Sequence, residues 1–201
     1  MKTGGSRTSP YDSIAGRYDA FTWLPERMIL ARLRKRLWSR MNGRALEVGV
    51  GTGANMRFYG SRQVVAVDLS PCMLEGARAK AMKAKLPVNL ALMDAQALAF
   101  KDGAFDSVIA SWVFCSVADP VRGFKEARRV LRPGGRLLLL EHVRLPGLRG
   151  RVLDWLNPLA NRFGGENINR DTVAHVTGAG VRVDEARPLL WGLVRLIEAR
   201  S

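Results

Sequence analysis

The sequence predicts a doubly wound α/β protein whose sheet of seven strands is mostly parallel and ends in an antiparallel C-terminal hairpin. Short apolar runs alternate with helix-like segments along the chain, as in strands joined by crossover helices. The glycine-rich segment VGVGTG at 48–53 directly follows the first run. Two strand-like runs near the C-terminus, 181–190 and 193–199, are close enough to predict the hairpin. These features predict a Rossmann-like sheet.

Composition predicts one domain without a membrane span. The 201 residues are 47% hydrophobic and 25% charged, which suits a globular domain with a single core over 10–201 and a mobile polar tail over 1–9. The longest stretch without a charge or turn former, 108–118, is too short for a bilayer, and no apolar signal region opens the chain. We therefore expect neither a spanning helix nor a secretory signal.

Cysteine and histidine usage predicts a cytoplasmic protein without a metal. Two cysteines and two histidines cannot form a Cys-rich zinc site, and the cysteines are interpreted as reduced thiols.

The stretch 25–41 is predicted to be a basic amphipathic helix. Ile29, Leu33 and Leu37 recur at helical spacing with basic residues between them. The chain carries 32 Lys and Arg against 18 Asp and Glu, a net charge of +14, and this stretch is especially basic. Such a surface attracts nucleic acid or anionic lipid headgroups, although a solvated helix face is the alternative interpretation.

The remaining elements follow in order along the chain. Helix signals begin with Ser70 as a cap before Pro71, and a second helix spans 120–131 before the turn at 132–135. Residues 144–166 are long for a connection and predict a lid with its own helix. Asn169 is predicted to cap a short helix ending at 178–180. The other predicted strands are 44–50, 64–69, 88–93, 107–113 and 136–142.

Polar residues close three consecutive predicted strands. Glu47 precedes the glycines, Asp68 ends the second strand, and Asp94 with Ala95 ends the third. The spacing suits a carboxylate that binds both ribose hydroxyls of an adenosine, with an acceptor and an amide at the adenine edge. A dinucleotide stays possible because Ala54 is a tolerated variant at the third glycine position. Glu47, however, would repel a pyrophosphate and favours a cationic amino acid.

These motifs, with Phe105–Asp106 and Leu131–Gly135, resemble those of the class I S-adenosylmethionine methyltransferases over roughly 10–200. Within them, Tyr11–Asp19 and Leu140–His142 resemble a group that contains UbiE-type quinone methyltransferases, bacterial phospholipid N-methyltransferases and thiol methyltransferases.

The resemblance implies S-adenosylmethionine as cofactor, with S-adenosylhomocysteine as product. The glycines would pack under the methionine moiety, Glu47 would reach its amino group, and Asp68 would bind the ribose. Met73 would flank the adenine, whose edge would meet Asp94 and Ala95. The full implied cofactor set is Glu47, Gly49, Gly51, Gly53, Asp68, Leu69, Met73, Asp94 and Ala95.

The favoured acceptor is the amine of phosphatidylethanolamine, reached from an anionic membrane surface through the basic helix on the inner face of the membrane. Tyr18 and His142 are the candidate catalytic groups, with core packing and a structural histidine as their alternatives. A quinone carbon or a small thiol is the next acceptor, although Val50 and Ala54 depart from the quinone enzymes' polar loop.

Nucleic acid is a rival acceptor that the sequence disfavours. Amino-base enzymes of this superfamily carry an Asn/Asp-Pro-Pro-aromatic tetrapeptide after the fourth strand, where this chain reads SWVFC at 111–115. Cys115 in that segment is interpreted as a buried hydrophobe in preference to a nucleophile. A catalytically silent cofactor-binding module is the remaining alternative.

Overall fold

The computed structural model describes residues 29–145, 147–148, 150–151, 154–155, 157, 167 and 169–201. Its helices are α1 (Ala31–Trp38), α2 (Pro71–Lys83), α3 (Pro120–Val130) and α4 (Thr172–Gly178). Its strands are β1 (Ala45–Val48), β2 (Val64–Asp68), β3 (Val88–Leu92), β4 (Phe105–Ser111), β5 (Leu131–His142), β6 (Arg182–Leu189) and β7 (Val194–Arg200). Short 3-10 turns span Met56–Phe58 and Leu190–Gly192.

The strands form one seven-stranded sheet in the order β3-β2-β1-β4-β5-β7-β6. All pairs from β3 to β5 are parallel, whereas β7 runs antiparallel to both β5 and β6. The strand order reverses between β1 and β4, which is where doubly wound sheets bind ligands. The predicted fold class is confirmed.

The central strands are buried on both faces. Because side chains alternate along a strand, Leu46, Val108 and Leu139 enter an apolar cluster with Phe124 of α3 on one face. Ala45, Ile109 and Leu138 enter a second cluster, covered by α1 and α2, on the other face. This burial explains why these strands appear in the sequence as continuous apolar runs.

Helix α1 packs its apolar side into the protein. Leu33, Leu37 and Trp38 are buried in the second cluster, while Arg32, Lys35 and Arg36 are exposed. The helix ends at Trp38, before the predicted Met41. The amides of Arg40 and Met41 bond to the carbonyls three residues earlier, those of Leu37 and Trp38, at 3.2 and 3.3 Å, so the last turn tightens and the α-helical pattern stops. The predicted start at residue 25 lies outside the described residues, as do the tail and Tyr18.

Two helix caps test the sequence interpretation. The Ser70 hydroxyl accepts a hydrogen bond from the Met73 amide at 3.1 Å, so the predicted cap of α2 is confirmed. The predicted cap Asn169 is wrong, since Asp171 caps α4 by accepting from the Ala174 amide at 3.1 Å. Asn169 instead donates to Asp154 at 3.0 Å, which joins Asp154 to the chain just before α4.

The described residues between 147 and 157 are helical, in agreement with the helix predicted inside 144–166. Across the part of the chain that the structure describes, every helix is too short or too polar to cross a bilayer.

Candidate active site

A cavity of about 710 Å³ opens at the carboxyl ends of β1, β2 and β4. Its volume lies within the roughly 300–1,000 Å³ typical of small-molecule sites. Seven of the sequence-predicted cofactor residues line it: Gly49, Gly51, Asp68, Leu69, Met73, Asp94 and Ala95. The structure therefore brings three separate motifs, spread over 47 positions of the chain, to one site.

The glycine loop approaches the cavity with its bare backbone. Gly49 and Gly51 adopt left-handed conformations with φ of +70° and +55°. A Cβ on Gly49 would collide with the Val113 side chain, so that position requires glycine for packing. A Cβ on Gly51 would meet no protein atom within 4 Å, which leaves room for a ligand against the backbone. Gly53, with φ of +86°, faces Met56 and is not among the residues that line the cavity.

The Asp68 side chain is held beside the glycine loop by hydrogen bonds. One of its carboxylate oxygens accepts from the Gly51 amide at 2.8 Å, and the other accepts from the Ser70 amide at 2.9 Å. These two bonds orient the carboxylate and join β2 to the glycine loop. A rigid, oriented carboxylate beside a bare backbone suits a diol such as a ribose.

The turn after β3 forms another wall. Asp94 accepts from the amide of Gln96 at 2.9 Å, and the Gln96 side-chain oxygen accepts from the Asp119 amide at 3.0 Å. Arg122 donates to the Gln96 carbonyl at 3.0 Å. Gln96 and Arg122 both line the cavity, and sequence reasoning missed both because neither belongs to a motif.

Glu47 does not line the cavity. It is completely buried, and its carboxylate accepts hydrogen bonds from Asn55 Nδ2 at 2.5 Å and from the Tyr59 hydroxyl. Burial raises the pKa of Glu47 to about 7, although its hydrogen bonds and the nearby Arg34 charge oppose the shift. Burial and the Glu47 charge also raise the pKa of Tyr59 well above its usual range.

Arg34 lines the cavity although it lies on the helix predicted to face a membrane. It is buried, at 8% exposure, and donates to Asn55 Oδ1 at 3.0 Å and to Ser111 Oγ at 2.8 Å. Its guanidinium carbon lies 4.6 Å from the ring centroid of Trp112, within range of a cation–π contact. One signal in the sequence could have identified it: Arg34 lies three and four residues before the apolar Leu37 and Trp38, on the same side of the helix.

His142 ends β5 beside this wall without lining the cavity. Its ring centroid is 6.3 Å from that of Trp112, which does line the cavity. Burial lowers the pKa of His142, and its buried Nδ1 has no hydrogen-bond partner among the described residues. The imidazole is therefore neutral near pH 7.

The loop after β4 is fixed from two sides. Buried Glu141 accepts from the amides of Val113 and Phe114 at 3.0 and 3.2 Å. Arg170 donates to the carbonyls of Phe114 and Val117 at 2.9 and 2.7 Å. The Cys115 side chain within this loop is buried and does not line the cavity, which agrees with its interpretation as a small hydrophobe.

Residues 46–139 match the family model of the methyltransferase domain. Over this segment, which is slightly less than half of the chain, the protein is similar to methyltransferase domains. The matched segment begins in β1 and ends within β5, so it contains the glycine loop, Asp68, Asp94 and Ala95.

Two curated relatives are similar to the chain in sequence. A phosphatidylethanolamine N-methyltransferase of Cereibacter sphaeroides is 41% identical over 115 residues, which cover 54% of this chain and 57% of the relative. A demethylmenaquinone methyltransferase of Thermus thermophilus is 37% identical over 139 residues, which cover 65% of this chain and 63% of the relative. The chain thus spans about three fifths of the length of these relatives.

A solved methyltransferase structure shares the fold. The S-adenosylmethionine-dependent methyltransferase of Aquifex aeolicus superposes with a TM-score of 0.68 at 18% identity, covering 94% of this chain and 97% of that one.

Proposed function

We propose that the chain transfers the methyl group of S-adenosylmethionine to the amine of phosphatidylethanolamine at a membrane surface. The observation that most supports this proposal is the Asp68 carboxylate, which the Gly51 and Ser70 amides hold at a cavity large enough for a small molecule. The phosphatidylethanolamine N-methyltransferase relative, at 41% identity, supports the acceptor.

The cavity fits the proposed cofactor. The open space beside the Gly51 backbone admits a methionine moiety, Asp68 would bind the ribose, and Met73 would flank the adenine. Asp94 and Ala95, in the turn after β3, would recognise the adenine edge.

Arg34 would bind the carboxylate of the methionine moiety. Its guanidinium lines the cavity near the glycine loop, and a buried arginine is well suited to pair with a carboxylate. Glu47 would act indirectly in this proposal, because its carboxylate bonds to Asn55 and Tyr59 and does not reach the cavity wall. It holds Asn55, which accepts from Arg34, and so supports the guanidinium from below.

The sulfonium of the cofactor supplies an activated methyl group. An alkylammonium with an ordinary pKa of about 10.4 must lose a proton before it can attack that group. His142 is neutral because burial lowers its pKa, and it lies beside the Trp112 wall of the cavity, so it would accept this proton through water. Tyr18 remains a second candidate near the acceptor, proposed from the resemblance alone.

Attachment to an anionic surface is part of the proposal. Arg32, Lys35 and Arg36 form the exposed side of α1, and each cation near such a surface contributes about 1 kcal/mol. The apolar side of α1 is buried in the core, so this helix would contribute electrostatic attraction only.

Quinone C-methylation is the second candidate. It is favoured by the demethylmenaquinone methyltransferase relative, which is 37% identical and matches a longer part of the chain.

An acceptor panel tests the proposal. Methyl-labelled S-adenosylmethionine is incubated with the protein and, separately, phosphatidylethanolamine vesicles, a demethylated menaquinol, a small thiol and RNA. The proposal expects label in the lipid as an N-methyl group. Label in the menaquinol with none in the lipid contradicts the amine acceptor, and no label in any arm contradicts the activity.

A further inference from the structure

The turn between β6 and β7 holds an exposed tryptophan. Trp191 is 89% exposed, the highest exposure among the large apolar side chains of the described residues. Leu190 and Trp191 both have left-handed backbones, with φ of +48° and +57°, which residues with side chains rarely adopt. The tight turn therefore projects an indole into solvent, where it gains no packing.

The turn lies at the ligand edge of the sheet. Val194, the first residue of β7, pairs with His142, the last residue of β5, so the tip extends beyond the carboxyl ends of the parallel strands. A Cβ on Gly192 would lie 3.1 Å from Leu145, which places the tip against the start of the lid segment.

The adjoining lid segment presents further apolar side chains. Leu148 and Trp155 are 75% and 80% exposed. The Arg144–Asp154 ion pair, with an N–O distance of 2.6 Å, joins the start of this segment to its middle. Two neighbouring segments at the edge that carries the cavity thus expose large apolar side chains.

Basic residues accompany these side chains. Arg187 and Arg151 are exposed, whereas Arg195, four residues after Trp191, is half-buried. Asp154, the acidic residue of the described lid segment, is already paired with Arg144. Tryptophan favours the headgroup level of bilayers, and arginine is attracted to anionic headgroups.

We propose that the β6–β7 tip, together with the exposed side chains of Leu148 and Trp155, inserts into the headgroup region of an anionic bilayer. Trp191 is the anchor, and the cavity edge of the sheet then faces the lipid. An exposed tryptophan with arginines on the same segments suits an anionic lipid surface better than a protein, whose interface core is depleted of charged residues. The inference rests on the proposed function, because insertion would serve to deliver a lipid acceptor to the cavity. It assigns membrane attachment to a surface different from that of α1.

Vesicle sedimentation with matched variants tests the inference. Wild type, Trp191→Ser and Met82→Ser are compared on vesicles of phosphatidylglycerol with phosphatidylcholine. Met82 is a suitable control because it is 74% exposed but lies at the end of α2, by the amino ends of the strands. We expect Trp191→Ser to weaken binding by about tenfold or more and Met82→Ser to leave it unchanged. Equal binding by all three proteins, or no binding by wild type, overturns the inference.

Two further readouts distinguish insertion into lipid from surface adsorption and from dimerisation. Brominated lipids should quench the tryptophan fluorescence of wild type more than that of Trp191→Phe. Equal quenching of the two proteins would overturn the assignment of Trp191 as the membrane anchor. If wild type forms a dimer that Trp191→Ser disrupts, and wild type does not bind vesicles, the proposal of a lipid partner is overturned.

Failure of the proposed function is distinguishable, because binding is measured without turnover. If Trp191-dependent binding occurs but no phosphatidylethanolamine is methylated in vesicles or detergent micelles, the inference stands and the acceptor assignment fails.

Discussion

The guanidinium of Arg34 donates a hydrogen bond to the hydroxyl of Ser111 at 2.8 Å, joining helix α1 to the end of strand β4. The same guanidinium bonds to Asn55, which in turn donates to the buried Glu47 carboxylate. Because Arg34 also lines the cavity, this network connects the cavity wall to a buried acid beneath the glycine loop. If Arg34 binds the cofactor as proposed, this network would couple cofactor binding to the protonation of Glu47.

Replacing Arg34 with Met should raise the KM for S-adenosylmethionine by about tenfold or more, since a charge-assisted hydrogen bond to a carboxylate contributes roughly 1.5–3 kcal/mol. Arg36→Met is the matched control, because Arg36 lies on the same helix and is exposed. Initial rates measured at varied cofactor concentration give the KM of each variant. Equal KM values for the two variants would remove Arg34 from the cofactor site.

Asp68→Ala should weaken cofactor binding by at least about tenfold with the fold intact, because both ribose hydroxyls would lose a charged partner. Titration calorimetry with S-adenosylhomocysteine measures the affinity, and circular dichroism reports the fold. Asp102→Ala serves as the control, since Asp102 is an exposed carboxylate paired with Arg129 outside the cavity. Unchanged affinity for Asp68→Ala would contradict the ribose assignment.

Protonation of Glu47 should make the protein more stable at mildly acidic pH. Its pKa rises from 4.5 to about 7 on folding, so the folded state binds the proton more tightly than the unfolded state. The resulting stability is fully present below pH 4.5 and is lost as the pH rises through about 7, an effect of about 3 kcal/mol. Glu47→Gln should remove this pH dependence.

Thermal unfolding of wild type and Glu47→Gln across that pH range checks the prediction. The other groups of the network, Tyr59, Asn55 and Arg34, are unchanged in both proteins. Parallel profiles of the two proteins would show that Glu47 does not titrate in this range.

His142→Gln should lower kcat by roughly 10²-fold or more while the affinity for S-adenosylmethionine stays the same, as expected for loss of a general base. His175→Gln on α4 is the control and should leave kcat unchanged. The wild-type kcat should rise with pH through a pKa below the ordinary histidine value, because burial lowers the pKa of His142. If both variants keep wild-type kcat, His142 is structural.

Much of the fold was predictable from local patterns. Continuous apolar runs identify β1, β4 and β5 because these strands are buried on both faces. The glycine loop, Asp68 and Asp94 were predictable as cavity residues, since the carboxyl ends of parallel strands share one edge.

Other features depend on tertiary contacts. Strand β4 ends at Ser111, two residues before the predicted end, because Trp112 turns into a left-handed conformation with φ of +56°. Glu47 was expected at the ligand, but Tyr59 and Asn55 hold its carboxylate below the loop. Neither partner is recognisable from the sequence, because their proximity exists only after the Met56–Phe58 turn has formed.

The identity of the acceptor is the central claim, and a competition in one vesicle tests it most directly. Vesicles that contain both phosphatidylethanolamine and a demethylated menaquinol are incubated with the protein and methyl-labelled S-adenosylmethionine, and both extracted products are analysed by mass spectrometry. The account predicts N-methylated phosphatidylethanolamine with an unlabelled quinol. A labelled quinol ring beside unmodified phosphatidylethanolamine would contradict it.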